Sequence, residues 1–259
     1  MASFLQGLKD TLLMKTSDKK QFNEIKVETD IIYAQGTFKV VFRAQCIEGP
    51  NKGFHCVVKY FKPSPISFGD QLKNELRVVE AAKKIVQVWN QSMHFKELPH
   101  RVIVVTPQVM VEDGDQGLPC LLEPLIRGYR KHNNNGGWAS SSHDLWNAAL
   151  QALSHFSFHA SHGKVVLCDI QGGAIAEGYL ITDPALLSTN EGKYGPTDLG
   201  WEGIEKFFKK HRCTRFCKPH WLTPAKLQGV NVGPRWKQPA PVMAARGKDD
   251  PRWKRPASW

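Results

Sequence analysis

Residues 38–61 set the first limit on the fold. "FKVVFRA" (38–44) and "FHCVVKYF" (54–61) are dense in β-branched and aromatic residues and are joined by a turn-like "EGPNKG", so they predict two paired strands. In the second run Phe54, Cys56, Val58 and Tyr60 share one face, leaving Lys59 on the other with His55, Val57 and Phe61. Soon afterwards "DQLKNELRVVEAAKKIVQVWNQ" (70–91) changes to a helical period through Leu72, Leu76, Val79, Ala82 and Val86. A chain that must bury both a sheet face and a helix stripe is α+β, not all-α or all-β.

Apolar runs at 101–107 and 120–126 are short enough for strands, and "RKHNNNGGWASSS" (130–142) is a loop and a lobe boundary. Ser141 and Asp144 resemble a capping pair for a helix over about 143–160, whose Leu145, Trp146, Ala149, Leu150 and Leu153 face the core. "KVVLCD" (164–169) reads as a buried strand ending in a carboxylate, and 197–211 holds a second short helix carrying Ile204, Phe207 and Phe208. A strand-rich first half and a mixed second half predict two lobes. At the start, Phe4, Leu5, Leu8, Leu12 and Leu13 are spaced like one face of a short terminal helix, without the pattern of a secretory signal.

The net charge of +11 raises an anionic partner, but the charge is uneven. Residues 225–259 carry eight Lys or Arg against Asp249 and Asp250 and repeat "PRWKQP" as "PRWKRP", which reads as a disordered basic tail able to meet acidic partners. No run approaches the roughly 18 apolar residues of a membrane span. Six scattered cysteines without a signal segment fit a reducing, cytoplasmic setting better than a disulfide framework.

Three groups carry chemistry. His211, Cys213 and Cys217 in "HRCTRFC" are zinc-binding residue types; on a helix the two thiols would lie one turn apart on a single face. Structural zinc normally takes four ligands, and spacing alone leaves the fourth open among the other histidines and the acidic residues. Gly36 in "QGTFK" lies between two expected strands. A turn glycine followed by a strand lysine, Lys59, is how kinases hold ATP phosphates. Asp169 ends a strand, with Gln171 two residues on and Asp183 nearby, a set able to bind Mg²⁺ and position a hydroxyl. The spaced glycines of "GPTDLGWEG" (195–203) suggest, weakly, phosphate binding at a helix start.

Taken in order, "AQGTFKVVFRA", "CVVKYF", "LLEPLI" with "KHNNNGG", "LCDIQGG…LITDP" and "GPTDLGWEGIEKFFKKHRCTRFC" resemble the alpha-kinases, atypical serine/threonine kinases, over roughly residues 26–222. The resemblance implies a two-lobed, α+β, atypical protein-kinase-like fold. It places an N-terminal extension at 1–25, an N-lobe at about 26–126 and a C-lobe at about 127–222, with the tail over 223–259.

It further implies transfer of the γ-phosphoryl of ATP to Ser or Thr of protein substrates. Asp169 and Lys59 would be catalytic. Gly36, Lys39, Lys59, Glu123, Gln171 and Asp183 would serve the nucleotide, with Glu123 in the adenine-contacting segment and Asp183 and Gln171 at Mg²⁺. His155 would complete a structural zinc site with His211, Cys213 and Cys217 in the C-lobe, with His159 and His162 as alternatives. The stretch at 195–203 would lie beside the cleft on the peptide side.

Three departures from the family pattern stand out: Lys39 where arginine is usual, Thr214 where asparagine is usual, and a longer 171–183 interval that predicts an extended loop. None deletes an essential group, which favours an enzyme over a pseudokinase scaffold. A zinc-containing, basic nucleic-acid-binding protein would account for the charge and the aromatic tail. It would not account for Lys59, Asp169, Gln171 and Asp183 together, so nucleic acid is not the expected partner.

Overall fold

Among the described residues, thirteen strands and four helices form two packed bodies with a cleft between them. The computed structural model describes residues 13–16, 24–49, 51–92, 98, 101–112 and 118–228. In chain order the strands are β1 Leu13–Thr16, β2 Glu24–Glu28, β3 Ala34–Gln35, β4 Lys39–Glu48 and β5 His55–Phe61, followed by helix α1 Phe68–Ser92. Then come β6 Arg101–Val104, β7 Gln108–Glu112, β8 Pro119–Pro124 and β9 Arg130–Lys131, and helix α2 Leu145–Ala160. The remainder is β10 Val165–Cys168, β11 Gln171–Ile175, β12 Gly178–Thr182, β13 Ala185–Ser188, α3 Gly200–Lys210 and α4 Pro224–Gln228.

The first sheet runs β2-β1-β7-β8-β5-β4-β3, and β2 also pairs with β4, so every strand except β3 joins a closed antiparallel ring. Its interior is what alternation predicts: Val40, Phe42, Ala44 and Cys46 of β4 meet Cys56, Val58 and Tyr60 of β5, with Ile25, Met110 and Leu122. On β5 the opposite face is covered too, so Val57 and Lys59 are also buried. Closure means that the strand system begins before residue 26. Leu13–Thr16 is a strand bridging β2 and β7, not part of a helix. The rest of the expected terminal helix face, Phe4 to Leu12, lies outside the described residues.

Helix α1 begins at Ser67, whose Oγ accepts from Asp70 N at 3.2 Å and donates to Asp70 Oδ2 at 2.8 Å. It buries Val78, Val79, Ala82, Val86 and Trp89 against α2 and strand β6, not inside the barrel. Strand β6 pairs in parallel with β12, from Val102↔Tyr179 to Val104↔Ile181. Residues 68–104 therefore share a core with α2 and β12 of the second half. Helical periodicity says which stripe is buried but not against which partner.

Helix α2 runs through the centre of the second body, burying Leu150, Leu153, Phe156 and Phe158 together with the polar Asn147, Gln151, Ser154 and Ser157. Its cap is Asp144, whose Oδ1 accepts from Asn147 N at 2.8 Å. The pairing of Ser141 with Asp144 is not used, because the helix starts one turn later; Ser142 Oγ donates to Asp144 instead.

The 171–183 interval is a tight hairpin of β11 and β12, not an extended loop. Gly172 allows it: a Cβ there would fall 1.8 Å from Leu180 O. At the other end, α4 packs back, with Leu222 and Leu227 against Phe158 and Ile204. The folded part thus continues through residue 228, and the remaining tail, 229–259, lies outside the described residues. No helix among the described residues is long and apolar enough to cross a membrane.

Candidate active site and metal centre

The cleft between the bodies has a volume of about 510 Å³. Its wall includes Gly36 and Lys39 from the β3–β4 turn, Glu75 from α1, and Asp169, Gln171 and Asp183 from the strand ends opposite. Gly36 N donates to Lys39 O at 2.9 Å, the closing bond of a hairpin turn. Lys59 and Glu123 stand one layer behind this wall. Because Val57 faces Glu123 in the β5–β8 register, Lys59 is its diagonal neighbour on the same face.

One cationic hub results. Lys59 Nζ donates to Glu123 Oε2 at 2.8 Å, Thr182 Oγ1 at 2.9 Å and Asp183 Oδ2 at 2.5 Å. Thr182 Oγ1 in turn donates to Glu123. Lys39 Nζ takes the other Asp183 oxygen, Oδ1, at 2.6 Å and Glu75 Oε1 at 2.8 Å. Burial works to raise the Asp183 carboxyl, but the Lys39 and Lys59 ammonium groups outweigh it and hold the group well below the usual range. Glu123 goes the other way: burial raises it more than Lys59 lowers it.

Asp169 lines the cleft on the same side as Asp183. Burial raises its carboxyl, opposed by Lys131, whose Nζ pairs with Oδ1 at 2.6 Å. Gln171 links the two acids, with Nε2 donating to Asp169 Oδ2 at 3.2 Å and to the Asp183 carbonyl at 3.1 Å. Tyr129 OH donates to Gln171 Oε1 at 2.7 Å and so fixes the orientation of the amide. Both acids lie in the left-handed region, Asp169 at φ 54° and Asp183 at φ 47°. Such strain, of order 1–3 kcal/mol each, persists only where surroundings over-determine it and clusters at functional sites.

The 195–203 stretch flanks the same cleft through Pro196 and Thr197. The phosphate-binding expectation for its helix start fails for a local reason. Buried Asp198 already fills that position, accepting from Gly200 N at 3.1 Å, Ser188 N at 2.7 Å and Ser188 Oγ at 2.7 Å. A carboxylate there takes the place of an anionic ligand.

Far from the cleft, His155, His211, Cys213 and Cys217 bring one donor atom each within 4.8 Å of one another. His155 comes from α2 and the others from the segment after α3. That segment is not helical: α3 ends at Lys210, His211 is extended, and Cys217 N closes a turn on Thr214 O at 3.0 Å. The one-turn helical spacing expected for the two thiols is therefore replaced by a turn that folds them together.

Chemistry and distance both suit a metal. His155 Nε2 lies 3.0 Å from Leu222 O; a carbonyl only accepts, so the ring proton is on Nε2 and Nδ1 is free, 3.7 Å from Cys213 Sγ. His211 Nε2 lies 3.7 Å from Cys217 Sγ, and its buried Nδ1 has no hydrogen-bond partner. Tetrahedral zinc places N and S ligands about 3.6 Å apart from its bond lengths. Burial, with help from His155 and Arg212, lowers His211 to about 4, keeping it a neutral donor. His159 is elsewhere: its Nδ1 accepts from Leu222 N at 3.4 Å and its ring stacks on Trp221.

Sequence reasoning did not single out Lys131, Tyr129, Thr182, Glu75 or Asp198. Lys131 and Tyr129 sit in or beside a stretch that reads only as polar loop, and nothing local marks Glu75 among the charged residues of α1.

A strand-built body over an α+β body, with paired lysines and acids at the cleft, is a kinase-like fold. The sequence pattern of the Alpha-kinase family matches residues 34–217, and the chain belongs to that family. Among curated relatives, alpha-protein kinase vwkA of Dictyostelium discoideum is 33% identical over 144 residues, covering 55% of this chain and 23% of the relative. Alpha-protein kinase 1 of the same organism is 32% identical over 208 residues, 78% of this chain and 14% of the relative. Eukaryotic elongation factor 2 kinase of Rattus norvegicus is 30% identical over 171 residues, 63% and 23%. The chain thus spans less than a quarter of the length of these relatives. The solved alpha-kinase domain of myosin heavy chain kinase A, in complex with AMP, superposes with a TM-score of 0.63 at 20% identity, covering 80% of this chain and 95% of that one.

Proposed function

We propose that this chain is an ATP-dependent protein kinase domain that phosphorylates Ser or Thr of protein substrates in a cytoplasmic setting. The carrying observation is the convergence of Asp169, Gln171 and Asp183 on one cleft, with Lys59 bound to Asp183 directly behind its wall, from three separate segments of the chain. Lys59 and Lys39 neutralise ATP phosphates, since both ammonium groups already sit against the cleft-lining carboxylate of Asp183. Glu123 holds Lys59 in place. Asp169 orients the substrate hydroxyl and accepts its proton, and burial keeps it more basic than a free aspartate. The Gly36 turn closes over the phosphates, and the Pro196–Thr197 side faces the peptide.

The carboxylates of Asp183 and Asp169, tied together by Gln171, would hold Mg²⁺, which would supply positive charge against the phosphates. His155, His211, Cys213 and Cys217 would hold a zinc ion that ties α2 to the end of α3, with every position filled by protein. The basic tail would meet acidic partners.

Transfer of labelled phosphate from ATP to a generic basic protein, with Asp169→Ala as control, tests the reading. Nucleotide binding without transfer would instead indicate a scaffold. Salt-sensitive RNA or DNA binding by a protein that does not hydrolyse ATP, surviving removal of the tail, would favour the nucleic-acid reading.

A further inference from the structure

Asp169 is gripped from three consecutive positions. Lys131 pairs with its side chain, the His132 N–H donates to Ile170 O at 2.8 Å, and Asn133 Oδ1 accepts from Ile170 N at 3.0 Å. One short segment therefore fixes the carboxylate and both polar groups of the residue that follows it.

Asn133 is the link from this grip to the core. Its side chain is fully enclosed, and its Nδ2 donates to Ser154 Oγ at 3.0 Å and Gln151 Oε1 at 3.3 Å, both on α2. Gln151 Nε2 braces the same segment by donating to His132 O at 2.7 Å. On the other side of the aspartate, Ser157 Oγ accepts from Leu167 N at 2.7 Å. The chain is thus pinned to one helix both before and after Asp169, the residue whose φ of 54° needs holding. An amide suits the place because it accepts at one end and donates at the other. Aspartate would set an acceptor against Gln151 Oε1, and leucine would leave Ile170 N–H buried and unpaired.

We propose that Asn133 is a positioning residue for Asp169, holding the strand end so that the carboxylate stays in line with the cleft and within reach of Lys131. This rests on the kinase reading above, in which Asp169 acts on the substrate hydroxyl. Asn133 itself touches neither nucleotide nor substrate; it acts through the main chain of Ile170.

The test is steady-state kinetics of the full chain carrying Asn133→Leu, with ATP and a protein substrate over a range of pH. Expected is a fall in kcat of about 100-fold, the effect of displacing a reacting group by roughly 1 Å. The KM for ATP should stay within about twofold, because Lys39, Lys59 and Asp183 are untouched, and the effects of the two halves of the cleft separate. The acid limb of kcat should move to higher pH as the carboxylate loosens from Lys131. A kcat near wild type overturns the proposal. So does a loss that only tracks the fraction of folded, nucleotide-binding protein while the acid limb stays fixed, since that is a structural role.

If Asn133→Leu does not fold, Gln151→Leu removes one brace and keeps the bond to Ile170. A smaller kcat loss with the same upward movement supports the proposal, and an unmoved limb overturns it. A wild type without transfer overturns the kinase reading as well; an active wild type with an indifferent Asn133→Leu overturns this inference alone.

Discussion

Lys59 Nζ lies 2.5 Å from Asp183 Oδ2, although 124 residues separate them in the chain, and Lys59 is only 4% exposed. Lys59 is therefore an interior group as well as a candidate for the phosphates. Its ammonium is the counter-charge of two buried or half-buried acids.

Lys59→Ala should therefore lose both activity and stability. Removing one partner of a buried pair costs roughly 3–5 kcal/mol, with the low end expected here because Lys39 still holds Asp183. Adding Glu123→Gln should restore much of the urea midpoint without restoring phosphate transfer. Equal stability of wild type and Lys59→Ala would show the hub to be open to water.

The Asp169 carboxyl is raised by burial and pulled down by Lys131, so the base loses its proton at higher pH than a free aspartate. The acid limb of the kcat profile should lie above the ordinary aspartate range. Lys131→Met removes the opposing cation and should move that limb further up. A downward movement, or none, would count against Asp169 as the base.

Stability should fall in mild acid through His132. Its Nδ1 meets Asn147 Oδ1 at 2.9 Å and its Nε2 meets Tyr179 OH at 2.6 Å, and burial lowers its pKa below the ordinary value of 6.5. The unfolded chain then binds the extra proton first, so the contribution is present above about 6.5 and is lost as pH falls toward the folded value. Urea midpoints measured from pH 7 to 5 should decline, and the slope should be shallower in His132→Asn.

Metal analysis should find about one zinc per chain by the four-ligand count. Cys217→Ala and His155→Ala should give insoluble or unfolded protein, because structural zinc supplies folding free energy directly. His159→Ala, outside the cluster, should be mild. Folded, active protein free of metal would sink the zinc assignment.

Truncation should separate the tail from the fold. A chain ending at 228 should keep peptide phosphorylation, whereas one ending at 222 should be less stable by about 1–2 kcal/mol. The shorter chain loses the part-buried Leu227 and the Lys226 Nζ bond to Trp221 O at 2.8 Å. Thermal melts of the two chains, beside a peptide assay, make the comparison.

Much of the local structure was legible. The strand runs around Lys59, the helix through Val79 and Val86, and the strand ending at Asp169 all emerge within a few residues of their expected bounds, because period 2 and period 3.6 are written in adjacent residues. The residue types of the cleft and of the His/Cys cluster were legible too. The partners were not: Glu123 carries no local mark that it will hold Lys59, and Lys131 none that it will hold Asp169.

The sequence by itself determined an α+β chain with its main strands and helices, a lysine on the face of β5 opposite Cys56, Val58 and Tyr60, acids at strand ends and three clustered zinc-type ligands. Tertiary structure alone decided that α1 and β6 belong with the second body, that Leu13–Thr16 helps close the ring, and that Cys213 and Cys217 meet through a turn. It also decided that the hub of Lys59, Glu123 and Asp183 is buried. The physical reason is range. Burial periodicity and turn chemistry act over a few residues and leave their pattern in the chain, whereas register between distant strands and the pairing of buried charges depend on which surfaces meet after collapse.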